Sequence, residues 1–508
     1  MIIGIDLGTT YSAAAYLDQN GNPQIIPNRE GEDTTPSVVF FEDGNIVVGS
    51  QAKEGCVFAP YDVQLKVKRY MGDHTYQFTT TSDDTYKAEE ISAMILKRII
   101  ADCKAFLGEE IDAAVITVPA YFGDAERKAT ADAGKIAGIK VLGLINEPTA
   151  AALAFGMSRN QSGATIMIYD LGGGTFDVTI LRIENNEFRV LATHGDKNLG
   201  GFNFDDELIK YSNKFIKSEL GIDPGDDDEL QQELRIKCEK AKKSLSSSES
   251  TSFMVSIRGK RLKIVISRAE FEAMISPLIN STENSIDIAL EDAGLTTKDI
   301  DKVLLVGGST RVPAVRDFIQ EKMHMVPSSE VHPDHAVAIG AAYYANELVL
   351  NGKSIDENDV DIPVNIPKTE LHDVNSHGLG IEAENENHEM ANCIVLPRNT
   401  ELPAKCQKIF ATTVDNQTQI RLRITEGDDT DLRYVTKIGE ALLTIAPHPK
   451  GSPICIEMSI DSDGLIHVYV IDVVDGIVVG EAQLDRTANM TDDDITDKRE
   501  KMNQIDPN

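Results

Sequence analysis

Two distant stretches of the chain repeat one pattern. Ile2-Ile3-Gly4-Ile5-Asp6-Leu7-Gly8-Thr9-Thr10 leads into Ser12 to Leu17, and Ile166-Met167-Ile168-Tyr169-Asp170-Leu171-Gly172-Gly173-Gly174-Thr175 leads into Asp177 to Leu181. Each reads as strand, aspartate, glycine turn, threonine and second strand, which predicts a hairpin with a carboxylate and hydroxyls at its tip. Glycine lets the backbone fold tightly and present N–H groups to a ligand with no Cβ in the way. Aspartate offers the hard oxygen that phosphate-bound Mg2+ prefers, directly or through its waters. A single D-x-G-x-T would be an ordinary turn. Two copies, each straight after a buried-type strand, predict hairpins that face each other and grip a polyphosphate from both sides. Neither G-x-x-x-x-G-K-[ST] nor G-x-G-x-x-G occurs, so the phosphate logic is of another kind. Val303 to Val306 runs into Gly307-Gly308-Ser309-Thr310-Arg311 and then a helix with Pro313 in its first turn. Alone, that is an ordinary strand-to-helix turn; beside the hairpins it predicts a cradle for the sugar and ring of a nucleotide.

The 508 residues predict roughly three folding units. Acidic residues number 82 against 49 basic ones, a net charge of −33. Such a chain has no cationic stripe to release counterions from nucleic acid or anionic membranes, so neither is an expected partner. The cysteines (Cys56, Cys103, Cys238, Cys393, Cys406, Cys455) form no C-x-x-C pair, which predicts reduced thiols in a cytoplasmic protein. The opening residues read as structure rather than as an address tag, and no apolar run is long enough for a membrane span.

Residues 1–353 alternate short apolar runs with helical stretches. Ala113 to Val118 and Val141 to Ile145 read as strands, Asp124 to Ala137 and the Ala-rich Pro148 to Phe155 as helices. That alternation predicts an α/β unit with substantially parallel sheets. A helix is expected from Asp226-Asp227-Asp228-Glu229 to about Ser244, acids at its start and lysines at its end. Residues 354–375 are acidic, with Pro363 and Pro367, and read as a linker. Residues 376–486 are all-β in pattern: Gln419 to Thr425 alternates strictly, Ile454 to Ile460 and Leu465 to Val470 flank Asp461-Ser462-Asp463-Gly464, and Asp475-Gly476 marks a hairpin. An antiparallel sandwich follows. Residues 487–508 hold a short helical tail in which Thr491 caps and Asp494 completes the box.

Five blocks then carry a resemblance: Ile3 to Thr10, Val118-Pro119-Ala120-Tyr121-Phe122, Ile145-Asn146-Glu147-Pro148-Thr149-Ala150-Ala151-Ala152, Asp170 to Asp177, and Leu305 to Arg311. In order and spacing the chain resembles the heat-shock protein 70 (DnaK-type) chaperones from residue 1 to about 490. The short Met71 to Glu90 segment and abbreviated end look like the compact HscC-like bacterial branch. The resemblance implies an actin-like ATPase domain of two ribonuclease-H-like lobes followed by a β-sandwich, with the helical lid missing. It implies ATP and ADP with Mg2+ as ligands. Gly8, Thr9, Thr10 and Tyr11 would line the first phosphate loop, Gly173, Gly174 and Thr175 the second, with Gly200 and Gly201 beside them. Asp6 and Asp170 would organise Mg2+ and its waters, and Lys68 would reach the γ-phosphate and attacking water. Glu147 would orient water or metal, with Asp177 a weaker candidate. Glu239, Lys242 and Ser246 would hold adenosine from one side, Gly308, Ser309, Arg311 and Asp334 from the other. Pro119 and Arg127 match the family's relay between domains. Ile381, Phe410, Ile420 and Leu422 would line a groove for extended apolar peptide. The same family implies a J-domain co-chaperone and a nucleotide-exchange factor as partners.

Taken without the family, Lys68 is a lysine in a basic run, Glu239 and Lys242 a solvent-facing helix, Pro119 a strand end, Arg127 a surface arginine, and the four groove residues sandwich core. Three places depart from the family pattern. Thr369-Glu370-Leu371-His372-Asp373 stands where the family has consecutive leucines, so greasy docking of the linker is not expected. Glu384 to His388 is polar where the family arches apolar residues over its peptide. Peptide is therefore expected to bind weakly. Phe202-Asn203 follows Gly200-Gly201 where acidic residues are usual. Other functions with this hairpin pair are a regulator that binds ATP and clients without coupling them, a small-molecule kinase, and an actin-like assembly protein.

Overall fold

The β-branched runs of the first half pair into two sheets of one design. In this computed structural model, which describes all residues except 43, 160–162, 226, 329, 331, 354–367, 386–388, 482–489, 504 and 506–508, the first sheet orders Lys140–Asn146, Ala113–Val118, Ile2–Asp6, Tyr11–Leu17 and Pro23–Ile26. The second orders Lys302–Val306, Ala164–Leu171, Phe176–Glu184, Glu187–Asp196 and Glu370–His372. Each repeated hairpin holds the same place in its sheet: its first strand runs parallel to a buried neighbour and antiparallel to its own second strand. The sheets are thus mixed rather than substantially parallel. A tight glycine turn joins only antiparallel strands, so each of the two hairpins sets an antiparallel pairing in its sheet.

Each sheet anchors a lobe with its own core. Lobe I buries Ile3, Ile5, Ile95 and Ile116 beneath the helices Ala88–Leu107 and Asp124–Ala137. Lobe II buries Tyr169, Phe176, Phe204 and Phe271 beneath the helices Gly201–Leu220, Asp228–Leu245 and Arg268–Asp292. Between the lobes the helices Glu147–Arg159 and Ala336–Leu350 cross, packing Ala150, Ala151 and Ala152 with Ala338, Ala341 and Ala342 in one shared core. Small side chains bring those backbones close, which makes this crossing the floor on which the lobes meet.

Beyond the lobes two four-stranded antiparallel sheets stack around Leu396, Ile424, Met458, Val468 and Val470. The stretch read as a linker contains a strand: Glu370–His372 joins the edge of the lobe II sheet, parallel to Glu187–Arg189. Its polarity did not prevent docking, because backbone hydrogen bonds carry an edge strand and Glu370 stays exposed while its neighbours find partners. Leu371 packs against the shared core, and Thr369 donates to the Glu347 carboxylate. Pro363 and Pro367 lie outside the described residues, as do residues 386–388 of the polar arch. The helix Asp492–Asn503 is capped by Thr491 and Asp494 and docks on lobe I through Met490, Ile495 and Met502. All six cysteines are free thiols. Among the described residues no helix is long and apolar enough to cross a membrane.

Candidate active site

The tips of the two hairpins meet at the mouth of a cavity of about 490 Å³ between the lobes, a size suited to a nucleotide. How closely they meet is measured at Gly173: a Cβ there would lie 1.7 Å from Thr10 Oγ1. Glycine is required because the opposite loop occupies the space of a side chain. The second loop is braced from behind. Gly201 N–H donates to the Gly172 carbonyl and Phe202 N–H to that of Gly173. Ser309 Oγ also donates to the Gly172 carbonyl, at 2.8 Å.

Carboxylates converge at the floor. Asp6 ends the first strand of its hairpin, Asp170 lies near the end of its counterpart, Asp177 lies on the return strand and Glu147 opens the crossing helix. All but Asp6 are buried side chains, and Asp6 is half-buried. Burial and the Glu147 charge push Asp6 and Asp177 up to about 7. The same two causes, with Asp177 and Asp6 adding to them, push Asp170 well above the usual carboxylate range. Lys68, buried in the short 3-10 turn Val67–Tyr70, meets Glu147 in an ion pair. Thr117 Oγ1 donates to Asp6 at 3.2 Å, and Tyr121 N–H donates to Asp177 at 3.0 Å. Four acids around one lysine leave a net negative pocket of hard oxygen donors, which suits a divalent cation.

Farther out, Glu239 forms ion pairs with Lys53 (2.6 Å) and Lys243 (3.0 Å), spanning the lobes. Burial opposes its ionisation, yet the two lysines hold the carboxyl down to about 2. Lys242 holds the loop base, donating to the Gly201 carbonyl at 2.9 Å and to Asp205 at 2.8 Å. Opposite, Arg311 pairs with Asp334 at 2.5 Å.

The cavity wall includes Asp6, Gly8, Thr9, Thr10, Tyr11, Lys68, Glu147, Asp170, Gly173, Thr175, Glu239, Lys242, Ser246, Gly308, Ser309, Arg311 and Asp334. Gly174, Gly200 and Gly201 are not part of that wall. Gly200 packs so tightly behind the second loop that its Cβ would be 2.6 Å from the Gly173 carbonyl. Sequence reasoning missed Lys243, Thr34 and Pro333, which also line the cavity, whereas Gly307 belongs to the predicted glycine cradle. Lys243 was within reach, four residues after Glu239 on one helix.

Comparison with known proteins decides the family. The model of the family described as Hsp70 protein matches residues 2–507. The chaperone proteins DnaK of Thermotoga neapolitana, Thermotoga petrophila and Thermotoga maritima are each 42% identical over 485 residues, covering 94% of this chain and 79% of the relative. The chain belongs to the heat-shock protein 70 family. It is an ATP-dependent chaperone and an ATPase, with a nucleotide-binding actin-like domain and a β-sandwich.

This heat-shock protein 70 holds its sandwich against both lobes. Arg127 is buried there: Nη2 donates to Asn146 Oδ1 at 2.6 Å and Nε to the Phe122 carbonyl at 3.0 Å. Asp373, just after the linker strand, accepts from Asn146 Nδ2 (3.0 Å) and Thr149 (3.1 Å), and its charge acts on Arg127. Pro119 directly follows the strand Ala113–Val118, two residues before Tyr121. From the sandwich, Asp463 accepts from Leu144 N–H at 3.3 Å, and Ile466 N–H donates to Asp124 at 2.9 Å. Of the four groove candidates, Ile381 and Leu422 are 5% and 2% exposed and belong to the sandwich core, while Phe410 and Ile420 are half-buried around it. Strict alternation could not separate core from groove, since both demand apolar side chains.

Proposed function

We propose that the cleft binds ATP with Mg2+ and hydrolyses it by positioning and charge neutralisation, and that the docked linker passes the nucleotide state to a peptide site in the sandwich. The observation that carries this reading is that both hairpin tips, the carboxylates of Asp6, Glu147 and Asp170 and the Lys68 ammonium line one nucleotide-sized cavity.

Asp6 and Asp170 would hold Mg2+ through its waters. When bound, that ion would offset the crowding of carboxylates and draw charge from the phosphates. Lys68 meets the negative charge of the transferring phosphoryl group, while Glu147 fixes the ammonium and orders water in line with it. Gly8, Thr9 and Thr10 present backbone and hydroxyl donors from one side; Gly173 and Thr175 do so from the other, with Gly174 shaping the turn between them. Gly200 and Gly201 stiffen that second loop. Glu239, Lys242 and Ser246 face Gly308, Ser309, Arg311 and Asp334 across the adenosine end. Pro119 and Arg127 relay the state of the cleft to Asp373 and the linker strand. Phe410 and Ile420 remain the groove candidates for extended apolar peptide; a polar arch at Glu384 and Asn385 favours fast peptide release. A J-domain protein and a nucleotide-exchange factor are the partners such a cycle needs, and the reduced thiols fit a cytoplasmic setting.

ATP turnover with and without an extended apolar peptide tests this reading. Stimulation by peptide is expected, and so is its loss in Arg127→Ala. Turnover that ignores peptide would favour the uncoupled regulator, and turnover surviving Lys68→Ala would contradict the site assignment.

A further inference from the structure

A second contact between the lobes lies behind the phosphate loops, away from the reacting groups. Lys66, on lobe I just before the 3-10 turn, adopts a left-handed backbone (φ 61°). That conformation sets its ammonium 4.0 Å from the centre of the Phe202 ring on lobe II. The Arg69 guanidinium approaches the same ring at 5.9 Å. It also donates to the Gly174 carbonyl at 2.8 Å and to Asn203 Oδ1 at 2.8 Å. Phe202 is 7% exposed and hangs from the second phosphate loop by its N–H bond to Gly173. Among the described residues Lys66 forms no ion pair: its ammonium lies over the Phe202 face, while Asp206 and Asp205 act on it from beyond ion-pair distance. Burial, with Arg235 and Arg69 nearby, lowers this lysine to about 8, as expected of a desolvated cation. Cation–π attraction is strongest where water is excluded.

We propose that Phe202 is a positioning residue: held against Lys66 and Arg69, its ring latches lobe I to the second phosphate loop and slows nucleotide release. This rests on the nucleotide reading above and adds what sets the lifetime of the bound state. An aromatic latch also explains the use of Phe202-Asn203 here. An acidic residue would form a salt-sensitive ion pair, whereas a ring and a buried ammonium respond little to ionic strength.

Stopped-flow release of N-methylanthraniloyl-ADP, chased with excess ATP, tests the latch in the full chain. Phe202→Leu, which keeps bulk but removes the π face, and Lys66→Met are each expected to release nucleotide about fivefold to tenfold faster. The double variant should be no faster than either single one, and Phe202→Tyr should match the parent. The parent's release rate should change little between low salt and high salt. Release from both single variants within about twofold of the parent, or Phe202→Tyr behaving as Phe202→Leu, overturns the latch while leaving nucleotide binding intact. If Phe202→Leu fails to fold, Lys66→Met and Lys66→Arg decide alone, with the arginine expected to restore slow release. A parent that binds no nucleotide overturns the underlying reading as well.

Discussion

Lys68 illustrates how much one side chain can carry. It is the buried cation beside Glu147 in a cluster with Asp6, Asp170 and Asp177. In the proposed mechanism it meets the charge of the transferring phosphoryl group, so Lys68→Ala should lower ATP turnover by a factor of about 100 or more while nucleotide still binds. In metal-free protein the same change leaves Glu147 buried and unpaired, a loss of about 3 kcal/mol that a thermal melt would register. Glu239 makes a different prediction. Its carboxyl is depressed to about 2 in the folded protein, against about 4.3 unfolded. Its contribution is therefore fully present above about pH 4.3 and disappears as pH falls toward about 2. In urea denaturation, the stability gap between the parent and Glu239→Gln should hold from pH 7 to pH 5 and narrow below about pH 4. A gap that widens on acidification would contradict the pairing with Lys53 and Lys243. These contacts were only partly legible. Glu239 came from the family resemblance alone, and Lys53 sits on a short helix, Ser50–Gly55, whose sequence carries no signal for a partner so distant in the chain.

At the scale of elements, the hairpins were written openly in the sequence because aspartate and glycine at fixed offsets have few other uses. The linker strand was hidden by its polarity. An edge strand needs only backbone groups and neighbours for its side chains. His372 Nδ1 lies 2.7 Å from Glu401, and Arg189 pairs with Glu187 at 2.6 Å and also with Glu401. Docking of this kind should respond to salt where a leucine run would not. The pair of substitutions His372→Ala and Arg189→Ala should speed limited proteolysis near residues 368–372 and weaken peptide-stimulated turnover. Raising ionic strength on the parent should move proteolysis the same way, and salt-independent protection would contradict ion pairing as the clasp. The C-terminal helix was legible at its cap, since Thr491 and Asp494 spell one. Its seat was not, because the helix docks through Ile495 and Met502 on residues far away in sequence. Ile495→Asp should therefore release the helix from lobe I and cost about 2–4 kcal/mol in denaturant titrations.

For the whole molecule, the sequence told which units exist and left open how they are stacked. The sandwich was foreshadowed by its alternating period and the alanine-rich helix by its composition, but the antiparallel half of the lobe sheets was not, since alternating strands and helices pointed to substantially parallel ones. The seating of the sandwich on both lobes was not, because it depends on scattered polar contacts such as Asp463 with Leu144 and Arg398 with Asp292. No local pattern encodes such pairs. The arrangement also bears on Arg127: a surface arginine on residue pattern alone, and a relay by family resemblance, it is buried beside Asn146, which in turn donates to Asp373 after the linker strand. All of this depends on two glycine tips closing on one nucleotide, and titration calorimetry of Mg2+–ADP into the parent and Gly173→Val tests it most directly. One site per chain is expected in the parent and near-complete loss in the variant, whose Cβ would fall 1.7 Å from Thr10 Oγ1. A parent that gives no heat, or a variant that binds as tightly as the parent, would contradict the account.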